Sequence, residues 1–436
     1  MFLIYNKYER YFFNMKSILE IFKQGMGPSS VLNMVPYQAC MEAAKEIRLK
    51  REKISHVEVI LYNEYARLEK ESNISLDIEF AFAYSNFKYV VTKDKPTPPA
   101  VKDEPYVFDI VVYSAPNEPA YRHRVISKHG GYQFAEGKKR DALPFKSFEE
   151  VQKWFKDNPG KSYLDFASQG ADREEIKAMY YRGVNLAEIA ILQGLRKHGE
   201  LKLNDPKIHY TRQARNIWLH DENFLSQAEN ANRIISAYSY AISEEVVEKR
   251  VLISAPTLCT TAVVWAVIAY LNSEYDVPAK KMIDAVCAAS IFAGLVDQNA
   301  SYASIDVGCQ GPMGTACGMA AVIAAVVMYD AKIDECGRAF EMALEHTLGI
   351  ICDAMLSLPI VPCIKRCSAY ASRAYEIAVL NHSLMATPEV CKLDDVIKVI
   401  SETGGDLMMK NRRLGMGGFA EHAKYCLEAA TERDWK

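Results

Sequence analysis

The sequence predicts an α+β N-terminal domain followed by an all-α domain built on central apolar helices. Period-two apolar patterning stops near residue 134, and helical periodicity runs from Arg173 to the end. In addition, 251–273 and 311–329 contain no charged residue, and 282–296 only Asp284. A helix apolar on every side either crosses a membrane or forms the centre of a large helical core. Pro256, Pro312 and many Ser, Thr, Gly and Ala residues dilute these stretches. Lys249, Arg250, Lys280 and Lys281 flank them without a spanning logic. The core reading is preferred, with no membrane partner.

Taken in order, MFLIYNKYERYFFN (1–14) lacks the apolar run and cleavage site of a signal peptide. It reads as an N-terminal extension ahead of a start at Met15. Residues 15–50 read as a helix (MKSILEIFKQG), a GMGPSS loop at 25–30, and a second helix. The segments 56–68, 74–91, 105–115 and 121–134 read as strands, rich in Val, Ile, Tyr and Phe and broken by Pro and Gly. Between two of them, TKDKPTPPAVKDEP (92–105) is an exposed loop. A small domain over 15–160 and a helical domain over 161–436 follow.

The 436 residues, half of them hydrophobic, are enough for two cores. A net charge of −3 offers no electrostatic reason for nucleic acid as a partner. Eleven cysteines, odd in number and unevenly spaced, argue against a disulfide framework and for reduced thiols in the cytoplasm.

Three cysteines stand in distinctive surroundings. Cys309 lies in VGCQGPMGTACGMAA, Cys352 in EHTLGIICDAM and Cys363 in IVPCIKRC. Cys309 sits in a Gly-rich turn before an Ala/Gly-rich helix, where backbone N–H groups and the helix N-terminus favour an anionic group. Pro362 sets an extended backbone before Cys363. Thiolates suit iron–sulfur clusters, but these spacings match neither a zinc C-x-x-C nor a ferredoxin run. On spacing alone, buried structural thiols are the first reading and a cluster the second.

Beyond spacing, the chain resembles the iron–sulfur-dependent L-serine dehydratases, also called L-serine ammonia-lyases. The similarity runs in order through SILEIFKQGMGPSS (17–30), VYSAPNEPAYRHRVISKHGGYQF, SAPT (254–257), QNASYASIDVGCQG (298–311), EHTLGIICD (345–353), VPCIKR (361–366) and ETGGDLMMKNRRLGMGGFA (402–420). The resemblance implies a [4Fe–4S] cluster on Cys309, Cys352 and Cys363 in a helical catalytic domain, with one iron open. That iron would act as a Lewis acid on the substrate hydroxyl. A base would remove the α-proton, and the aminoacrylate formed by loss of water would hydrolyse to pyruvate and ammonia. A family cysteine able to occupy the open iron falls on Cys426 by position. A homodimer and a small amino-acid or hydroxy-acid substrate are further family expectations.

Candidate catalytic residues are His346, two helical turns before Cys352, Asp353 beside that ligand, and His129 in KHGGY. Ser29, Ser30, Asn33 and Thr257 are candidate substrate-binding residues. Departures from the family concern polar lining. Where the family reads Gly-Pro-Ser-Ser-Ser-His-Thr, this chain has Gly27-Pro28-Ser29-Ser30-Val31-Leu32-Asn33. The family's Ala-Pro-Thr-Asn-Gly becomes Ala255-Pro256-Thr257-Leu258-Cys259. Apolar residues cannot orient a carboxylate and an ammonium. Four readings stay open: dehydration of L-serine itself, a dehydratase with an altered substrate, a cysteine desulfidase-like lyase, and a non-catalytic cluster protein.

Overall fold

The computed structural model describes residues 15–50, 53–83, 85–128, 131–134, 142–203, 209–220, 226–384, 387, 390–412 and 416–422. The extension 1–14, His129 and Cys426 lie outside the described residues. As expected, an α+β part precedes a mostly helical one.

The α+β part is a five-stranded sheet: β1 (His56–Tyr62), β2 (Lys88–Thr92), β3 (Tyr106–Ala115), β4 (Glu118–Lys128) and β5 (Gly131–Phe134). Their order is β2-β1-β3-β4-β5, with β1 and β2 parallel and every other neighbour antiparallel. Register explains the core. Val57 pairs with Val112, Val59 with Ile110 and Leu61 with Phe108, so six apolar side chains share one face. On that face lie α1 (Val35–Lys50) and α2 (Ile74–Phe82), which contribute Cys40, Ala43, Ile74 and Ile78.

The strand expected over 74–91 is corrected in its first half, which is α2. ISLDIEFAF fits both periods: alternation would bury Leu76 and Phe80, whereas a helix buries Ile74, Ile78, Ala81 and Phe82. Packing against α1 selects the helix and leaves Phe80 half exposed.

The helical part comprises α3 (Arg173–Arg196), α4 (Gln227–Val247), α5 (Thr261–Tyr275), α6 (Ala279–Asn299), α7 (Gln310–Tyr329), α8 (Ile333–Glu345), α9 (Cys363–Ser383) and α10 (Leu393–Asp406). Asp172 caps α3, and a Ser226–Glu229 capping box starts α4. At the centre is α7, buried from Gln310 to Val327 and packed by α5, α6, α8 and α9. Among the described residues it is the one helix long and apolar enough to cross a membrane, and other helices cover it.

The segment from Met15 is a single helical turn, Ile18–Ile21, rather than the longer helix expected. Two short pairings take its place: Met15–Lys16 with Ala142–Leu143, and Gln24–Met26 with Val251–Ile253. Met15, Ile18, Ile21 and Phe22 join the helical core, as do Leu143, Phe148, Val151 and Phe166. The buried Lys16 ammonium donates to Asp297 at 2.7 Å and to Tyr302 at 2.9 Å. The chain therefore leaves the helical core through the Gly27–Asn33 loop and enters the sheet layer at α1. That crossing places the loop between the two cores.

Candidate active site

Between the cores is a cavity lined by Ser29, Ser30, Thr257, Cys309, Cys352 and Cys363 among others. Four loops bring these side chains together. Cys309 stands at the N-cap of α7 and Cys363 opens α9, so two long helices point their N-termini at it. Partial positive charge there suits an anionic occupant.

Gly308 sets the position of Cys309. Its φ is +73°, and a Cβ there would stand 2.7 Å from Leu407 Cδ1 and 2.9 Å from the Ile350 carbonyl oxygen. The buried Gln310 binds this loop to the next. Its side-chain amide donates to Ile400 O at 3.1 Å, and its Oε1 accepts from Gly349 N at 2.8 Å. Cys352 N donates to Asn411 O at 2.7 Å. Cys352 is thereby pinned on both sides.

Beside the thiols, Arg366 donates to Asp353 Oδ1 at 2.7 Å and to Ile351 O at 3.1 Å. Burial opposes its charge, but nearby Cys309, Asp353 and Cys363 hold the guanidinium above its ordinary value. A hydrogen bond with Cys352, then burial, pushes the Cys309 thiol up; burial and neighbouring thiols do the same for Cys363.

The serine loop is organised locally. Ser29 Oγ accepts from Leu32 N at 3.2 Å, capping a turn of π-helix over Ser30–Met34. Ser30 Oγ accepts from Leu258 N at 2.7 Å, tying the loop to the Thr257 segment. Thr257 Oγ1 lies 2.8 Å from Thr260 Oγ1 and 3.2 Å from Cys259 Sγ.

Not every candidate residue reaches the cavity. His346 ends α8 on the surface, where Arg373 Nε donates to its Nδ1 at 3.3 Å. Burial, then Arg373, lowers its pKa. Asp353 is buried against Arg366 rather than in the cavity. Asn33 is fully buried but faces away: its Oδ1 accepts from Ser29 N at 2.9 Å, and its amide donates to Ser72 O and Asp77. Asn33 therefore holds the serine loop from behind. Among the described lining residues there is no carboxylate and no imidazole.

The cavity also holds a residue that sequence reasoning counted only as a lost polar position. Cys259 lines it, whereas the adjacent Leu258 turns into the helical core. The signal was in the substitution itself, a thiol where the family pattern has glycine.

Among the described residues no three His, Cys, Asp or Glu side chains converge closely enough for a single metal ion. The donor set fits a larger sulfur-loving group, because Cys309, Cys352 and Cys363 surround a cavity and all their donors are soft.

Fold and site together define a protein of two cores with a thiol- and serine-lined cavity between them. The chain belongs to the serine dehydratase alpha chain family, whose model matches residues 57–420. It is 34% identical over 193 residues to L-serine dehydratase 2 of Escherichia coli strain K12, covering 44% of this chain and 42% of that one. Against L-serine dehydratase TdcG of the same strain it is 31% identical over 251 residues, covering 57% and 54%. The match to L-serine dehydratase of Helicobacter pylori strain 26695 is 26% over 466 residues, covering 94% and 99%. The chain thus spans about half the length, or less, of the two Escherichia coli relatives it matches.

Proposed function

We propose that the chain is a [4Fe–4S]-dependent lyase that eliminates a β-hydroxyl or β-thiol from a small amino acid or related acid. The cluster would be held by Cys309, Cys352 and Cys363. One observation carries the reading: Cys309, together with Cys352 and Cys363 from a second loop, meets Ser29, Ser30 and Thr257 on one cavity. When bound, the cluster supplies a Lewis acid for a poor leaving group.

The chain's own residues supply the rest. Ser29, Ser30 and Thr257 offer hydroxyls to a substrate carboxylate. Arg366 and the N-termini of α7 and α9 offset negative charge beside the thiols. Val31, on the same wall, makes that side less polar than a serine would. A leaving group and side chain less hydrophilic than those of serine therefore fit best. The relatives named L-serine dehydratase favour elimination from an amino acid over a purely structural cluster.

Anaerobic isolation with iron and sulfide analysis, followed by a screen of β-hydroxy and β-thiol amino acids, tests the reading. We expect about four irons per chain and release of ammonia from at least one compound. A chain that binds iron yet turns over nothing would be a cluster protein without catalysis.

A further inference from the structure

Between the end of α6 and Cys309, every polar side chain but one is tied down. The buried Lys16 ammonium joins Asp297, near the end of α6, to Tyr302, at 2.7 and 2.9 Å. Ser301 Oγ donates to Asp306 Oδ2 at 2.7 Å and accepts from Ala303 N at 2.9 Å. Arg412 holds the far side of the segment, donating to Asp306 O at 3.0 Å. Ser304 is the exception. It lines the cavity, and among the described residues its hydroxyl has no hydrogen-bond partner. A hydroxyl that serves the fold is bonded like those of Ser301 and Tyr302. One left free on a braced segment is ready for a ligand, because little freedom remains to be lost on binding.

The other lining hydroxyls are already engaged as acceptors or with each other. Ser29 Oγ accepts from Leu32 N and Ser30 Oγ from Leu258 N, which leaves each a proton to donate, as a carboxylate requires. Thr257 Oγ1 is shared with Thr260 Oγ1 at 2.8 Å. An ammonium has the opposite need, since it only donates. The described lining offers it no carboxylate and no imidazole, whereas Ser304 Oγ brings lone pairs that nothing else uses. Building on the lyase reading above, we propose that Ser304 is a substrate-binding residue that accepts a hydrogen bond from the α-ammonium. The site then selects an α-amino acid over the otherwise identical acid that lacks the amine.

Full-length wild type and Ser304→Ala are compared after anaerobic reconstitution, with L-2-aminobutanoate and butanoate as probes. The two probes differ only in the amine, and neither carries a group that can be eliminated, so calorimetric titration reads binding alone. Wild type should bind the amino acid more tightly than butanoate. Ser304→Ala should weaken the amino acid roughly tenfold or more and leave butanoate unchanged. Equal losses on both probes would give Ser304 a role in shape rather than in holding the amine, and no loss on either would leave it without a contact. Both results overturn the assignment, as does a wild type that binds the two probes alike. Ammonia release keeps the two levels of the reading apart. Turnover of an amino acid by wild type, undiminished in Ser304→Ala, removes the Ser304 contact and leaves the lyase standing. A wild type that binds neither probe and releases no ammonia overturns both together.

Discussion

Asn33 and Asp77 share a buried hydrogen bond of 2.6 Å, amide nitrogen to Oδ2, that links the serine loop to α2. On its other side both Asp77 carboxylate oxygens accept from the Lys249 ammonium at 2.9 Å, which lies just after α4 and also donates to Ser72 O at 3.0 Å. Burial pushes Asp77 up to about 7 against the pull of Lys249 and Asn33. Lys249, Asp77, Asn33 and Ser29 thus form a relay from the helical core to the cavity wall. Replacing Asp77 by Asn leaves the Lys249 ammonium without its charged partner and puts an amide NH2 donor where one of the two accepting oxygens stood. Breaking a buried pair this way costs about 3–5 kcal/mol. Asp77→Asn should therefore lower the urea midpoint strongly; an unchanged midpoint would show that the pair adds nothing to stability.

The ligand set separates cleanly from the other thiols. Cys309→Ser, Cys352→Ser and Cys363→Ser should each abolish the cluster after anaerobic reconstitution. Cys317 and Cys336 are fully buried in the helical core and Cys391 is exposed, all away from the cavity. Their Ala variants should keep their iron. Full iron retention in any of the first three removes that residue from the set.

Much of this arrangement was legible in the residues, and the exceptions share one cause. Helical periodicity and uncharged apolar runs located the helical part, in which outer helices bury a stripe and α7 is buried all round, and the three cysteine contexts line one cavity. Side-chain direction in loops was not legible. Asn33 and His346 sit in the right segments, yet one turns behind the loop and the other outward to Arg373. Spacing fixes which turn a residue occupies, whereas packing decides which wall it faces. The same limit hid Cys259, whose neighbour Leu258 points into the core.

A second buried charge cluster sets a pH dependence remote from the cavity. Glu248 accepts from Arg212 at 2.6 Å, Lys197 at 2.9 Å and Lys202 N at 3.1 Å. Burial works against its charge, but these partners outweigh it and hold the carboxyl at about 2. Because the folded value lies below the unfolded one, this stabilisation is fully present above the usual glutamate range, near pH 4.5. It is lost as pH falls toward 2. With screening at this partly exposed group, the contribution is on the order of 1–2 kcal/mol. Glu248→Gln should lower stability at pH 7 and flatten its decline between pH 4.5 and 2 in denaturant titrations. Parallel curves for the two proteins would assign that acid sensitivity elsewhere.

The polar residues missing relative to the family do not all belong to the pocket, and this decides how serine turnover can be raised. Of Val31, Leu32 and Asn33, the cavity wall includes only Val31. Leu32 is fully buried in the sheet-layer core, and Asn33 already holds Ser29. Placing histidine at 32 would bury an imidazole among apolar side chains, costing several kcal/mol unless it finds a partner. Val31→Ser instead puts one hydroxyl beside Ser29 and Ser30 in place of two methyl groups, enlarging the cavity slightly. One new hydrogen bond to a charged substrate group is worth about 1.5–3 kcal/mol, or on the order of 10–100-fold in kcat/KM for L-serine. Leu32→His should lower the unfolding midpoint without that gain. Steady-state assays on the reconstituted proteins decide it: if Val31→Ser leaves kcat/KM for serine where it was, this wall does not contact the substrate carboxylate or ammonium.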